Sequence, residues 1–297
     1  PEFSYLPRKF KFAVTAAPKD RTAARVHDIG LVVRRARDGT MGFEVIVGGG
    51  MGRTPYVGPT IKEFLPANRL FSYLDATLRV YNRHGRRDNA YKARIKILVA
   101  ALGAEEFRRQ VEEEWEKVGP GADMPDTEIA RIRAAFSVKA FDTLVNRSEA
   151  FETAKAADPA FARFARNNLK PHKRPGYTIV EISLKGIGDT PGDATSDQMD
   201  AVADLGERYG QNDIRITHEQ NLVLPHVKLD DAHAVFQGLA AAGLATANIN
   251  LISDIIACPG LDYCALANAR AIPIAQDIAH RFADQDRAEL VGDLKIK

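Results

Sequence analysis

The chain has 297 residues, room for two or three domains with sizeable cores. Hydrophobic residues make up 45% and charged residues 27%, as in an ordinary globular protein, and a net charge of +2 is too balanced to argue for nucleic acid or a membrane surface as partner. Two cysteines in this length build no disulfide framework and fit a reducing cytoplasm, no apolar run reaches the roughly 18 residues of a membrane span, and no signal peptide is visible.

Residues 1–50 read as strands. Phe10, Phe12 and Val14 alternate with Lys11 and Ala13, the period-two pattern of a half-buried strand, and residues 29–35 and 42–47 are similar. The basic string Arg8, Lys9, Lys11 opens the first strand, with Lys9 and Lys11 on one face. Two ammonium groups so placed suit a doubly charged anion or a cofactor carboxylate; they equally suit a solvated edge strand that discourages edge pairing. The third strand runs into Gly48-Gly-Gly-Met-Gly-Arg53. Such a loop lets a ligand approach the backbone, but it has neither Rossmann nor P-loop spacing and also suits a plain turn.

Residues 61–83 and 88–117 read as helices, with Leu70, Leu74, Leu78 and Tyr81 at spacings of three and four. The basic run from Arg83 to Lys96 could face a polyanionic cofactor, dock an acidic partner, or form a solvated helix face. After the Gly119–Pro125 loop, residues 127–168 look helical and polar, and the breaker-rich stretch 170–176 reads as a linker. From there the order is strand 177–184, helix 195–210, strands 213–217 and 221–227, and helix 230–242, a β-α-β-β-α sequence that suggests a small ferredoxin-like α+β sandwich. A helix is expected over 265–282 and the start of a strand over 291–297. Between the strands at 213–227 lies the polar bend Thr217-His-Glu-Gln-Asn221; His218 and Glu219 have no partner at metal-ligand spacing.

The segment Ala257-Cys-Pro-Gly-Leu-Asp-Tyr-Cys264 holds both cysteines. Thiolates suit soft iron centres, and Cys258 and Cys264 can serve one metal centre from one loop, but an iron–sulfur cluster takes four thiolates. From spacing alone, two inert buried cysteines remain an equal reading.

Taken together, Tyr5-Leu-Pro-Arg-Lys-Phe-Lys11, Val47-Gly-Gly-Gly-Met-Gly52, Ile216-Thr-His-Glu-Gln-Asn-Leu222 and the Cys258/Cys264 loop resemble, in kind and order, the sirohaem-dependent sulfite and nitrite reductases. The resemblance implies an α+β protein with mixed α/β sirohaem domains and a ferredoxin-like half-domain. It implies a first sirohaem/4Fe-4S domain over 1–168, a linker over 169–176, the half-domain over 177–246, and the start of a second sirohaem domain over 247–297. The first residue is Pro1 rather than Met, and both ends read as cut. A first half-domain is expected before Pro1, and beyond Lys297 a second cysteine pair whose last member also ligates sirohaem iron.

The implied cofactors are sirohaem and a [4Fe–4S] cluster, with Cys258 and Cys264 as metal ligands. Arg53, Gln220 and Asn221 are the implied cofactor-binding residues, and Arg8, Lys9 and Lys11 the catalytic ones. The implied chemistry is the assimilatory six-electron reduction of sulfite to sulfide, fed by ferredoxin or an NADPH-flavoprotein; nitrite reduction to ammonia and a non-catalytic fragment or binding module are the alternatives. Nitrite reductases of the family tend to carry Asn where this chain has Lys11, which favours sulfite.

Overall fold

The computed structural model describes residues 2–119, 121, 123–137, 139–265 and 267–297. The chain divides into two compact units, Pro1–Ser137 and Val138–Lys297.

The first unit is a four-stranded sheet packed against helices. Strands β1 (Phe12–Thr15), β2 (Ile29–Arg35), β3 (Met41–Val47) and β4 (Thr60–Pro66) lie in that order; β1 and β2 are parallel, the other pairs antiparallel. Ile29, Leu31, Val45 and Val47 from the sheet meet Tyr73 and Leu74 of α1 (Leu70–His84), Val99 of α2 (Ile95–Leu102) and Phe107 of α3 (Ala104–Val118) in one core. Helix α4 (Asp126–Ala135) carries no fully buried residue.

Two expectations change here. Residues 61–66 belong to a strand rather than to the start of a helix: the buried pair Ile61 and Leu65 is four apart, a spacing that keeps two side chains on one face in either conformation. And β1 is reversed, for Ala13 and Thr15 are buried while Phe12 and Val14 are 43% and 52% exposed. Alternation says that a strand has two faces, not which one is covered. In this edge strand the turn Ala24–Val26 folds back over the sheet, so closely that a Cβ on Gly30 would lie 2.4 Å from the Ala24 carbonyl oxygen.

The second unit holds an antiparallel sheet in the order β5-β6-β8-β7: β5 (Leu169–Pro171), β6 (Tyr177–Ile182), β8 (Leu222–Lys228) and β7 (Arg215–Ile216). Helices α7 (Ser196–Tyr209) and α8 (Ala232–Ala241) complete the expected β-α-β-β-α order. Thr195 caps α7 in a capping box with Gln198, satisfying backbone N–H groups that the first turn leaves free.

The expected boundary at 168 moves. Helices α5 (Glu149–Ala157) and α6 (Pro159–Asn168) belong to this unit, because Phe161 and Phe164 are fully buried in a core with Val180, Leu224 and Phe236. The expected linker likewise contains β5, paired to β6. Past the half-domain come a single turn α9 (Gly260–Tyr263), α10 (Ile272–Arg281), which begins later than expected, and α11 (Gln285–Val291). The terminal strand is not formed, although Ile256 N–H donates to the Ile296 carbonyl at 3.0 Å.

Candidate functional site

In the first unit the basic string has a fixed backbone and free side chains. Arg8, Lys9 and Lys11 are exposed, and none forms an ion pair among the described residues. Beneath them the Tyr81 hydroxyl sits between the carbonyl oxygens of Arg8 (3.2 Å) and Ala93 (2.9 Å), and burial pushes its pKa up to about 12. The Lys11 N–H donates to Asp28 Oδ2 at 2.9 Å, and the Lys11 carbonyl accepts from Ile29 N–H at 3.1 Å. Asp28 is fully buried, and the Arg94 guanidinium grips both its oxygens, at 2.9 Å from Nε to Oδ1 and through the second nitrogen to Oδ2. A buried charge tolerates such a place only when paired and hydrogen-bonded, as here.

The glycine loop is braced in a comparable way. Gly48 has φ +89° and packs where a Cβ would come within 2.8 Å of Val99. Gly50 and Tyr56 exchange backbone hydrogen bonds of 3.0 and 2.8 Å, closing the loop. The buried Lys96 donates to the carbonyls of Met51 (3.0 Å) and Thr54 (2.6 Å). Arg53 remains exposed at the tip.

The run from Arg83 to Lys96 is therefore not a free basic face. Arg83 holds Glu114 through two bonds of 2.7 and 2.9 Å, Arg86 holds Asp88, Arg94 holds Asp28 and Lys96 is spent on the loop. Neither Asp28 nor Lys96 had a periodic signal to mark it in the sequence.

In the second unit the two cysteines are unbridged, Cys258 exposed and Cys264 partly so. The turn α9 separates them, and Cys264 N–H donates to the Gly260 carbonyl at 2.9 Å. Gly260 takes φ +60° in a place where a Cβ would lie 2.7 Å from the Ala269 carbonyl oxygen, so only glycine fits.

Gln220 clasps the residue before Cys258 at both ends: its Nε2 donates to the Ala257 carbonyl at 2.8 Å, and its Oε1 accepts the Ala257 N–H at 3.0 Å. Gln220 itself has φ +60° in a bend where Thr217 Oγ1 accepts from Glu219 and Asn221 N–H, each at 3.2 Å. Asn221 is buried; its Oδ1 accepts from Leu184 N–H (3.2 Å) and Lys185 Nζ (2.7 Å), and its Nδ2 donates to Asp254 Oδ1 (3.0 Å). Lys185 and Asp254 form a buried ion pair at 2.8 Å that sequence reading missed. Burial draws the Lys185 pKa below the ordinary lysine value, and the Asp254 carboxylate works against that shift. His218 and Glu219 pair with each other at 2.9 Å, and Glu219 also meets Lys295 at 2.8 Å. Among the described residues no group of three or more His, Cys, Asp or Glu side chains is arranged to hold a metal ion.

The donor set fits half of an iron–sulfur site: two accessible, unpaired sulfurs on one braced loop, of the soft kind that iron takes. The exposed cations Arg8, Lys9 and Lys11, which form no ion pair among the described residues, suit the carboxylates of a polyanionic cofactor.

Residues 1–118 match the family model described as the nitrite and sulphite reductase 4Fe-4S domain, and residues 171–242 match the nitrite/sulfite reductase ferredoxin-like half domain. The chain is 27% identical over 293 residues to a protein named sulfite reductase [ferredoxin] 2 of Mycolicibacterium paratuberculosis, a match covering 97% of this chain and 45% of that protein. It is 25% identical over 285 residues to the chloroplastic ferredoxin–nitrite reductase of Arabidopsis thaliana, covering 94% of this chain and 43% of the relative. The chain thus spans about half the length of the curated relatives it matches. The fold is that of the Mycobacterium tuberculosis NirA protein, with a TM-score of 0.68 at 23% identity over 100% of this chain and 48% of the other. With both of its domain models present in one chain, this protein belongs to the nitrite and sulphite reductase family.

Proposed function

We propose that the protein carrying this chain reduces sulfite to sulfide with six electrons, at a sirohaem coupled to a [4Fe–4S] cluster. The observations that carry this reading are an accessible thiol pair on a braced loop of the second unit and, in the first, a string of exposed cations that have no acidic partner among the described residues, in a chain that matches both family domains. Cys258 and Cys264 supply two of the four thiolates that such a cluster takes. Sirohaem and cluster, when bound, supply the electron storage that no side chain here provides.

The chain's own residues handle charge and protons. Sulfite is an anion whose oxygens leave as water, so the reaction needs positive charge and proton donors at hand. Lys9 and Lys11, with Arg8, are free for that work because their backbone is held by Asp28 and Tyr81 while their side chains are not spent. Arg53, exposed at the tip of the glycine loop, is the candidate to meet a cofactor carboxylate. Gln220 and Asn221 serve the cofactor through the loop they brace, since their amides are engaged by Ala257, Lys185 and Asp254.

Relatives whose names carry ferredoxin and NADPH support an external electron donor of one of those two kinds. Nitrite is the second reading, supported by relatives named ferredoxin–nitrite reductase; the two neighbouring lysines favour the more highly charged sulfite. Two unbridged cysteines fit a reducing cytoplasm. Among the described residues no helix is long and apolar enough to cross a membrane.

The test is iron and acid-labile sulfide content of the native protein, followed by turnover of sulfite and of nitrite with a reduced dye as electron donor. Bound iron and sulfide with faster sulfite turnover are expected. Faster nitrite turnover would favour the second reading, and a protein without iron or activity would leave a binding module.

A further inference from the structure

We propose that Lys185 is the positioning residue of the cysteine loop, locking the bend that carries Gln220 and the segment that leads to Cys258 to each other. The proposal rests, for its functional meaning, on the reading that these cysteines ligate a cluster.

Lys185 lies just past the end of β6 and is 2% exposed. An ammonium group has three N–H donors, and all three are spent. One goes to the Glu219 carbonyl, one to Asn221 Oδ1 at 2.7 Å and one to Asp254 Oδ1 at 2.8 Å. The acceptors belong to two separate stretches. Glu219 and Asn221 flank Gln220 in the polar bend; Asp254 lies three residues before Ala257. Asp254 in turn orders its own stretch, since its Oδ2 accepts Asn250 N–H at 3.0 Å. Asn248 closes the arrangement from the other side, donating from Nδ2 to the Lys185 carbonyl at 3.1 Å.

Ala257 is therefore held twice. Its backbone is clasped by Gln220, and the stretch before it is tied down through Asp254. Both ties converge on one ammonium. Gln220 pays a conformational cost for its left-handed φ of +60°, and a residue other than glycine stays there only when its neighbours hold it. The bond from Lys185 to the carbonyl just before Gln220 does that.

Stability alone does not call for a lysine here. Replacing a buried ion pair with apolar residues of similar volume is often neutral or stabilising. What apolar side chains cannot reproduce is three directed bonds that fix one loop against another. This separates a positioning role from a merely structural one.

The test uses the full chain and two readouts, the urea midpoint and amide hydrogen exchange resolved along the sequence. The variants are Lys185→Met, the apolar pair Lys185→Met with Asp254→Leu, and Gln220→Leu, which leaves the ion pair whole. In the apolar pair the midpoint is expected near that of the unaltered protein, while amides of 257–264 exchange about tenfold faster, as when a local element opens by itself. Amides of β6 and α8 should not change. Gln220→Leu should give the same local pattern. Unaltered exchange over 257–264 in the apolar pair or in Gln220→Leu, or acceleration spread evenly over the second unit, would overturn the proposal. The exchange readout needs no iron, so a protein that binds no cluster would end the cofactor reading and leave this test standing.

Discussion

Lys9 and Lys11 are exposed, and neither forms an ion pair among the described residues. Their side chains contribute little to folding, because surface substitutions away from special features usually stay within about 0.5 kcal/mol. Lys9→Ser with Lys11→Ser should therefore leave the urea midpoint and cofactor absorbance in place, while sulfite turnover falls by roughly two orders of magnitude, the scale seen when a donor to a developing negative charge is removed. Steady-state kinetics and the visible spectrum, taken together, check this; undiminished turnover would remove both lysines from the mechanism. His226 is the opposite kind of residue, 9% exposed and committed. Arg174 N–H donates to His172 Nδ1 at 2.8 Å, so the His172 Nε2–H donates to His226 Nδ1 at 3.1 Å. Burial lowers the His226 pKa, the charges of Arg215 and His172 act in the same direction, and the Asp213 carboxylate opposes them. With the folded pKa below the unfolded one, the contribution of His226 is complete above the ordinary histidine value of about 6.5 and is lost as pH falls through the folded value. The urea midpoint should drop on acidification below about pH 6.5, and His226→Gln should flatten that drop.

Helix α6 decides where the second unit begins. Its sequence is polar enough to pass for a surface helix at the end of the first domain, yet Phe161 and Phe164 are fully buried against Val180, Leu224 and Phe236. Phe164→Ala should cost about 3–5 kcal/mol of second-unit stability through lost burial and the cavity left behind. The effect should be confined to that unit when amide exchange is followed along the chain. Uniform loss over both units would mean that they unfold as one. The expected strand alternation in β1 and the expected helix at 61–66 differ from the structure for one shared reason: the spacing of apolar residues names a face, and packing chooses its conformation and its cover.

At the start of the second unit, residues 139–147 form no helix or strand and are mostly exposed, with Arg147 among the exposed side chains. Brief trypsin treatment should therefore cut between α4 and α5 before it cuts within either core, because accessible irregular backbone is the preferred site of nicking. Mass spectrometry of the fragments checks this, and first cuts inside α1–α3 or α6–α8 would contradict the division. Each unit carries candidate residues of its own: exposed cations beside the buried Asp28 and its partner Arg94 in the first, and the thiol loop beside the buried Lys185–Asp254 pair in the second.

The sequence by itself determined the candidate groups and their local setting. The cysteine pair, the basic string, the glycine loop and the polar bend at 217–221 were all legible, because each is a short run whose spacing alone has chemical meaning. The β-α-β-β-α order of the half-domain was legible for the same reason, since strand and helix periods are local. Tertiary structure decided everything that depends on a distant partner. Gln220 meets Ala257 across 37 positions, Lys185 meets Asp254 across 69, and Arg94 meets Asp28 across 66. A lone lysine or aspartate looks the same in sequence whether it will be solvated or buried. Only the folded chain, by removing water from around it, makes its partner obligatory.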